Sequence, residues 1–139
     1  MNDIAPRIIL ATHGRFGEEL LASAELILGP ISNAAAVSLM AGEDPADFGT
    51  KLREAFATAE GRAIILTDLF GGTPSNVAAA LAGRDGHLVI SGVNLPLLVE
   101  VEALRHQLLD DTASVESVLA AGKDGIRNIS SLISERRGS

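Results

Sequence analysis

The stretch IILATHG at residues 8–14 decides how the rest of this sequence is interpreted. Its apolar part, Ile8 to Thr12, is typical of a short strand that is buried on both faces of a parallel sheet. His13 and Gly14 follow this strand directly. The carboxyl end of a parallel strand is where open α/β sheets bind their ligands, so His13 becomes a candidate functional residue.

Outward from this strand, short apolar runs alternate with segments of helical spacing. Further strands are predicted at residues 34–39, 63–67 and 88–91, and helices at residues 16–28, 45–59, 74–81, 95–109 and 114–121. This alternation predicts a doubly wound, mainly parallel α/β sheet with helices on both faces and the common strand order 2-1-3-4. Residues 126–133 are ambiguous between a last strand and a helical tail.

Length, composition and charge narrow the class of protein. The 139 residues, of which 47% are hydrophobic, predict a single folded domain over residues 1–139. A formal net charge of −7 and a lack of Tyr and Trp argue against a nucleic-acid partner. The chain has no cysteine and no apolar stretch near the ~20 residues that span a bilayer, which favours a cytoplasmic protein.

Two strand ends carry polar residues that the strand order 2-1-3-4 brings together. The first strand ends at His13, and the third is followed by Asp68. We therefore expect these two side chains to be neighbours at the point where the winding direction reverses. A carboxylate bonded to one ring nitrogen fixes the imidazole tautomer and leaves the other nitrogen with a free lone pair. It also stabilises the positive charge that the ring acquires when a bond forms.

The segment GGTPSN at residues 71–76 adds features that suit an anion. Thr73 is a good helix N-cap and Pro74 a good first helical residue. Two preceding glycines let the backbone approach a ligand, and a helix N-terminus favours negative charge. A histidine nucleophile, an aspartate and an anion cradle together predict phosphoryl transfer through phosphohistidine, with no cofactor or metal ion.

The predicted site divides into catalytic and phosphate-binding residues. The catalytic residues are His13 and Asp68, and the phosphate-binding residues are Thr12, Gly71, Gly72 and Thr73. Phe16, Leu69 and Phe70 are expected to surround the site, although Phe70 fits a core position equally well. The other two histidines, His87 and His106, are interpreted as solvated surface residues.

Three runs of the sequence resemble the mannose-type (mannose/fructose/sorbose) EIIA domains of the bacterial phosphoenolpyruvate:sugar phosphotransferase system. They read ILATHGRFGEELLASAELILG, LTDLFGGTPSN and ISGVNLPLLVE, and the resemblance extends over roughly residues 8–133. It implies that His13 accepts phosphate from HPr and passes it to an EIIB component, with Asp68 as the orienting acid. It also implies a homodimer, often with an exchanged C-terminal strand, that meets the membrane only through an EIIC/EIID permease.

Some residues depart from the common pattern of these domains. Phe70 stands where the mannose transporter proteins have Trp, and Ser75 stands where many members have Phe. The form GGTPSN is closer to stand-alone EIIA proteins that serve regulation. A regulatory EIIA, or a phosphotransfer subunit of a dihydroxyacetone kinase that uses phosphoenolpyruvate, are the alternatives that share this chemistry.

Two unrelated classes share the predicted architecture. A two-component receiver domain would place its phosphorylated aspartate at the position of Asp68, but it needs an acidic pair after the first strand, where this chain has Thr12 and His13. A flavodoxin-like module needs a hydroxyl-rich phosphate loop after that strand and an aromatic residue to stack on the flavin. The sequence favours neither class over the phosphocarrier.

Overall fold

A four-stranded parallel sheet forms the centre of the computed structural model, which describes residues 5–59, 61–83 and 86–138. Its strands are β1 (Arg7–His13), β2 (Ala34–Leu39), β3 (Ala63–Thr67) and β4 (Leu88–Ser91). The strand order is β2-β1-β3-β4, and every neighbouring pair is parallel. The predicted fold class and strand order are therefore confirmed, and the carboxyl ends of β1 and β3 lie side by side.

Six helices accompany the sheet within the described part of the chain. They are α1 (Phe16–Leu28), α2 (Pro45–Ala57), α3 (Thr73–Ala82), α4 (Leu95–Leu104), α5 (Thr112–Asp124) and α6 (Ile129–Arg137). The helix predicted to run to residue 109 ends at Leu104, where the chain turns through short-range bonds such as Gln107 N–H to Leu104 C=O at 3.1 Å. The next helix begins earlier than predicted because the Asp111 side chain caps it.

Helices cover both faces of the sheet, as the uninterrupted apolar strands predict. Ile8 and Leu10 of β1 pack into a core built with α1, α4 and α5. Ile9 and Ala11 point to the other face, into a core built with α2 and α3. All four side chains are fully buried. This two-sided packing holds the strand ends in place, and these strand ends carry the candidate site.

The C-terminal segment is helical. Residues 126–133, which the sequence leaves ambiguous, lead into and form most of α6, whose first turn is capped by Asn128 accepting from Ser131 N–H at 3.1 Å. The exchanged strand that the family resemblance implies is not found among the described residues. Every residue from 123 to 138 is exposed. Four apolar side chains of this segment therefore face solvent, namely Ile126, Ile129, Leu132 and Ile133.

The helices are short relative to a lipid bilayer. Across the described ranges, no helix is both long enough and apolar enough to cross a membrane.

Candidate functional site

His13 and Asp68 are hydrogen-bonded to each other at the carboxyl edge of the sheet. His13 is the last residue of β1, and Asp68 comes directly after β3. One carboxylate oxygen, Oδ2 of Asp68, lies 3.0 Å from the ring Nδ1 of His13 and accepts from its backbone N–H, also at 3.0 Å. Because both bonds reach the same residue, the imidazole is fixed relative to the end of its own strand.

This bond leaves one ring nitrogen available for chemistry. A carboxylate can only accept, so in the neutral ring Nδ1 carries the proton and Nε2 keeps a free lone pair. The His13 side chain is 46% exposed, whereas that of Asp68 is 16% exposed. The second carboxylate oxygen, Oδ1, is buried and has no hydrogen-bond partner among the described residues. Within the described residues, His13 therefore supplies both hydrogen bonds that the Asp68 carboxylate makes.

The backbone of Gly72 lies against the His13 ring. A Cβ added to Gly72 would be 3.0 Å from ring atom Cε1 and 3.6 Å from Nε2. The φ angle of Gly72 is −81°, which any residue adopts, so close approach to the ring is what favours glycine here. Gly71 is different, because its φ of +81° lies in the left-handed region that favours glycine. Glycine is therefore favoured at these two positions for different physical reasons: a left-handed φ angle at Gly71 and close approach to the ring at Gly72.

The N-terminus of α3 differs from the prediction by one residue. Gly72, rather than Thr73, is the N-cap, and no side chain caps the helix. Thr73 is the first helical residue and Pro74 the second, because the extended backbone that a cap requires (ψ 170°) occurs at Gly72. Amides of a first helical turn have no partner within the helix and carry partial positive charge. The helix N-terminus beside Nε2 therefore suits an anion.

Thr12 comes directly before His13, and its hydroxyl bonds to the start of α1. It is fully buried, and its hydroxyl accepts from Gly17 N–H in the first turn of α1 at 2.8 Å. The N-cap residue of that helix, Arg15, makes no capping bond through its side chain, so Thr12 supplies the acceptor instead. The Thr12 hydroxyl thus anchors α1, and the phosphate-binding role of this residue stays a prediction.

Ser75 is a residue that the sequence analysis did not assign to the site. Its hydroxyl is 2.6 Å from the hydroxyl of Thr67 and 2.6 Å from the carbonyl oxygen of Leu69. These bonds lie directly below the loop that follows Asp68. A serine in the first turn of a helix that begins at a glycine pair was the available signal, but its partners depend on the tertiary fold.

Exposed apolar side chains lie at the same edge of the sheet as His13. We define the apolar rim as Phe16, Met40, Leu69 and Phe70, which are 45%, 43%, 59% and 87% exposed. Each follows closely on a strand end or begins α1, so all four lie at the carboxyl edge of the sheet. The exposure of Phe70 shows that its core alternative is wrong.

The other two histidines lie away from the site. His106 is exposed, as predicted. His87 is half-buried, which corrects its interpretation as a solvated residue: its Nδ1 accepts from Ala63 N–H at 2.7 Å, and its ring stacks on Phe56 with centroids 4.8 Å apart. Within the described ranges, no three His, Cys, Asp or Glu side chains form a group that could hold a metal ion.

Comparisons with known proteins identify the family. A family model described as the PTS system fructose IIA component, EIIA-man, matches residues 7–119. The chain belongs to the mannose-type EIIA family. The fructose-specific EIIA component of Bacillus subtilis (strain 168) is 36% identical to this EIIA over 73% of the chain and 71% of its own length.

Two further similar proteins support the same family assignment. The mannose-specific EIIAB component of Escherichia coli (strain K12) is 32% identical over 86% of this chain, and this EIIA spans 38% of that longer protein. The crystal structure of a phosphotransferase system component EIIA from Streptococcus agalactiae is similar with a TM-score of 0.81 and 32% identity, over 90% of this chain and 98% of that one. Family membership sets aside the receiver and flavodoxin-like interpretations.

The hydrogen bonds of this EIIA predict opposite tautomers for two histidines. Neutral His13 should carry its proton on Nδ1, because Asp68 accepts there, and neutral His87 on Nε2, because its Nδ1 accepts from an amide. Long-range ¹H–¹⁵N spectra of the protein labelled at histidine, recorded well above the ordinary titration range of histidine, distinguish the two forms. Asp68→Ala should convert His13 to the Nε2–H form that free imidazole prefers, with His87 unchanged. Finding His13 as Nε2–H in the wild-type protein would contradict this geometry.

Proposed function

We propose that this EIIA carries a phosphoryl group on Nε2 of His13, which it accepts from HPr and passes to an EIIB component. The observation that carries the proposal is a His13 side chain that is 46% exposed and whose Nδ1 is held by Asp68 at 3.0 Å, which leaves the lone pair on Nε2. The Gly72 backbone and the N-terminus of α3 lie on the side of the ring where the phosphoryl group would bind. A positioned nucleophile and an anion site together are what phosphoryl transfer requires.

The transfer proceeds in line. The lone pair of His13 Nε2 attacks the phosphorus of the donor's phosphohistidine, the new N–P bond forms, and the old N–P bond breaks so that its electron pair stays on the donor's ring. His13 retains its Nδ1 proton and becomes cationic, and the adjacent Asp68 carboxylate stabilises that charge. Transfer to the EIIB component reverses these steps with the acceptor's nucleophile as the attacking group.

Gly71, Gly72 and Thr73 form the phosphate-binding segment of the proposed site. Gly71 supplies the left-handed turn, and Gly72 brings the backbone against the ring. Thr73 supplies an amide at the first position of α3. Such amides act on the phosphoryl oxygens, where charge is concentrated in the transition state. Thr12, the other residue predicted to bind phosphate, also holds α1 through its hydroxyl.

Phosphorylation assays test these assignments. With phosphoenolpyruvate, Enzyme I and HPr, an acid-labile and base-stable phosphate should appear on the wild-type protein and on a His106→Gln control. His13→Ala should take up none, because it lacks the attacking nitrogen. Asp68→Asn keeps the shape but removes the charge, and should slow transfer by up to ~10⁴-fold. Undiminished labelling of His13→Ala would disprove the site, and an unchanged rate in Asp68→Asn would disprove the role of Asp68.

HPr and the EIIB component dock in turn on the apolar rim, because each has to bring its reacting atom to the same Nε2. The exposed side chains of the rim provide the area that a small interface needs. A carrier that exchanges partners requires such an interface to be weak and quickly released. This exchange takes place in the cytoplasm, and the protein meets a membrane only through an EIIC/EIID permease.

A matched pair of exposed apolar residues tests the docking surface. Phe70→Asp should raise the KM for phosphorylated HPr by about tenfold or more, as expected for loss of an aromatic anchor. Leu26→Asp is the control, because Leu26 is 89% exposed, close to the 87% of Phe70, and lies near the far end of α1. Thermal unfolding should be unchanged in both variants. Equal effects of the two substitutions on KM would contradict docking at the rim.

A homodimer is the third part of the proposal. The resemblance to a dimeric family implies it, and α6 offers an apolar side that the described chain leaves exposed, since the helix has no buried residue. Light scattering at micromolar concentration should give twice the mass of 14.4 kDa. Replacing both Ile129 and Leu132 by Asp should produce the monomer, because two charges would then enter the interface. A monomer mass for the wild-type protein would disprove the dimer.

A further inference from the structure

Two buried hydroxyl groups lie beneath the loop that faces His13. Thr67 ends β3 and is fully buried, and Ser75 lies in the first turn of α3 and is 8% exposed. Their oxygens are 2.6 Å apart, and the Ser75 oxygen is also 2.6 Å from the carbonyl oxygen of Leu69. The three groups form a continuous hydrogen-bonded chain from the sheet to the loop.

The chemistry of these groups fixes the direction of the chain. A carbonyl oxygen only accepts, so the single proton of the Ser75 hydroxyl is donated to Leu69. The Thr67 hydroxyl must then donate to Ser75. Ser75 therefore holds the loop, and Thr67 supports Ser75 without contacting the loop through its hydroxyl.

The Leu69 carbonyl is the closing point of the turn that precedes α3. It also accepts from Gly72 N–H, but at 3.3 Å, which is long for an amide hydrogen bond. The short bond from Ser75 is therefore the stronger of the two contacts that hold this carbonyl. Gly72 ends the same turn and lies against the His13 ring. The position of the Gly72 backbone and of the Thr73 amide relative to Nε2 thus depends on the Ser75 hydroxyl.

We infer that Ser75 is a positioning residue for phosphoryl transfer, acting through the Leu69 carbonyl to hold the anion-binding amides beside His13. This role rests on the proposed function, since it concerns the geometry of the phosphorylated site. The Ser75 hydroxyl acts at a distance from the reacting atoms, because both of its bonds are made to Thr67 and Leu69.

Three variants separate positioning from stability. Ser75→Ala removes the bond to Leu69 and should slow transfer from HPr by about tenfold to 100-fold, the cost of a small misplacement at a reacting centre. It should also lower the thermal midpoint, because the Thr67 hydroxyl is left buried without its acceptor. Thr67→Val keeps the bond from Ser75 to Leu69, so its transfer rate should stay within about twofold of the wild-type value.

The double variant Thr67→Val/Ser75→Ala is the deciding case. It removes the unpaired threonine hydroxyl, so its midpoint should be higher than that of Ser75→Ala. Its transfer should remain as slow as in Ser75→Ala, because Leu69 still lacks its donor. The coupling between the two substitutions should therefore differ between a double-mutant cycle of transfer rates and one of stabilities. Rates that follow the thermal midpoints across the three variants would overturn the positioning role.

NMR supplies a readout that a purely structural role would not change. On phosphorylation, the Thr73 amide proton of the wild-type protein and of Thr67→Val should shift downfield as it bonds to phosphate. In Ser75→Ala and the double variant this shift should shrink, and the ³¹P resonance of phospho-His13 should move. Wild-type rates and shifts in Ser75→Ala would overturn the role of Ser75 alone. A wild-type protein that takes up no phosphate on His13 would overturn the proposed function and this role with it.

Discussion

The double hydrogen bond from Asp68 Oδ2 to the ring and the backbone of His13 is the constraint on which the site depends. It exists because β1 and β3 are neighbours in register, with Ala11 opposite Thr67, so that Asp68 follows beside Thr12, one residue before His13. The buried side chains of both faces hold that register. The packed core of the sheet thus fixes the orientation of the His13 ring, although this side chain is nearly half exposed.

Hydroxyl groups at the strand ends connect the sheet to the two helices that begin beside the site. Thr12 is buried and accepts from the first turn of α1, and Thr67 is buried and connects through Ser75 to the loop before α3. Both helices begin at this edge, so their positive ends lie toward His13. A threonine is well suited to such a position, because its methyl group packs in an apolar layer while its hydroxyl bonds to a polar group of the adjoining helix. The site is therefore built mostly from backbone held by buried side chains.

The strands, their order and the meeting of His13 with Asp68 could be predicted because they follow from short apolar runs and the rules of parallel topology. The hydrogen-bond partners of residues at the strand ends could not be predicted in this way. In strands buried on both faces, the residue pattern does not show which way Thr12 points, so the bond of its hydroxyl to α1 could not be predicted. The half-buried setting of His87 likewise depends on Phe56 and Ala63, which are distant in sequence. The cap at Gly72 rather than Thr73 reflects local backbone angles that composition alone does not determine.

The exposure of His13 has a consequence for how the proposed carrier works. An enzyme that finishes its reaction alone gains from excluding water, whereas a carrier has to leave Nε2 open to two different proteins. Without a partner, the site can therefore supply only features that are effective in water. These are a fixed tautomer, an adjacent carboxylate and preorganised amides. The apolar rim is largely solvated in the free protein, so a docking partner both covers it and removes water from the reacting nitrogen. Desolvation, which strengthens every charge interaction at the site, would then occur only when a partner is present to receive or donate the phosphoryl group.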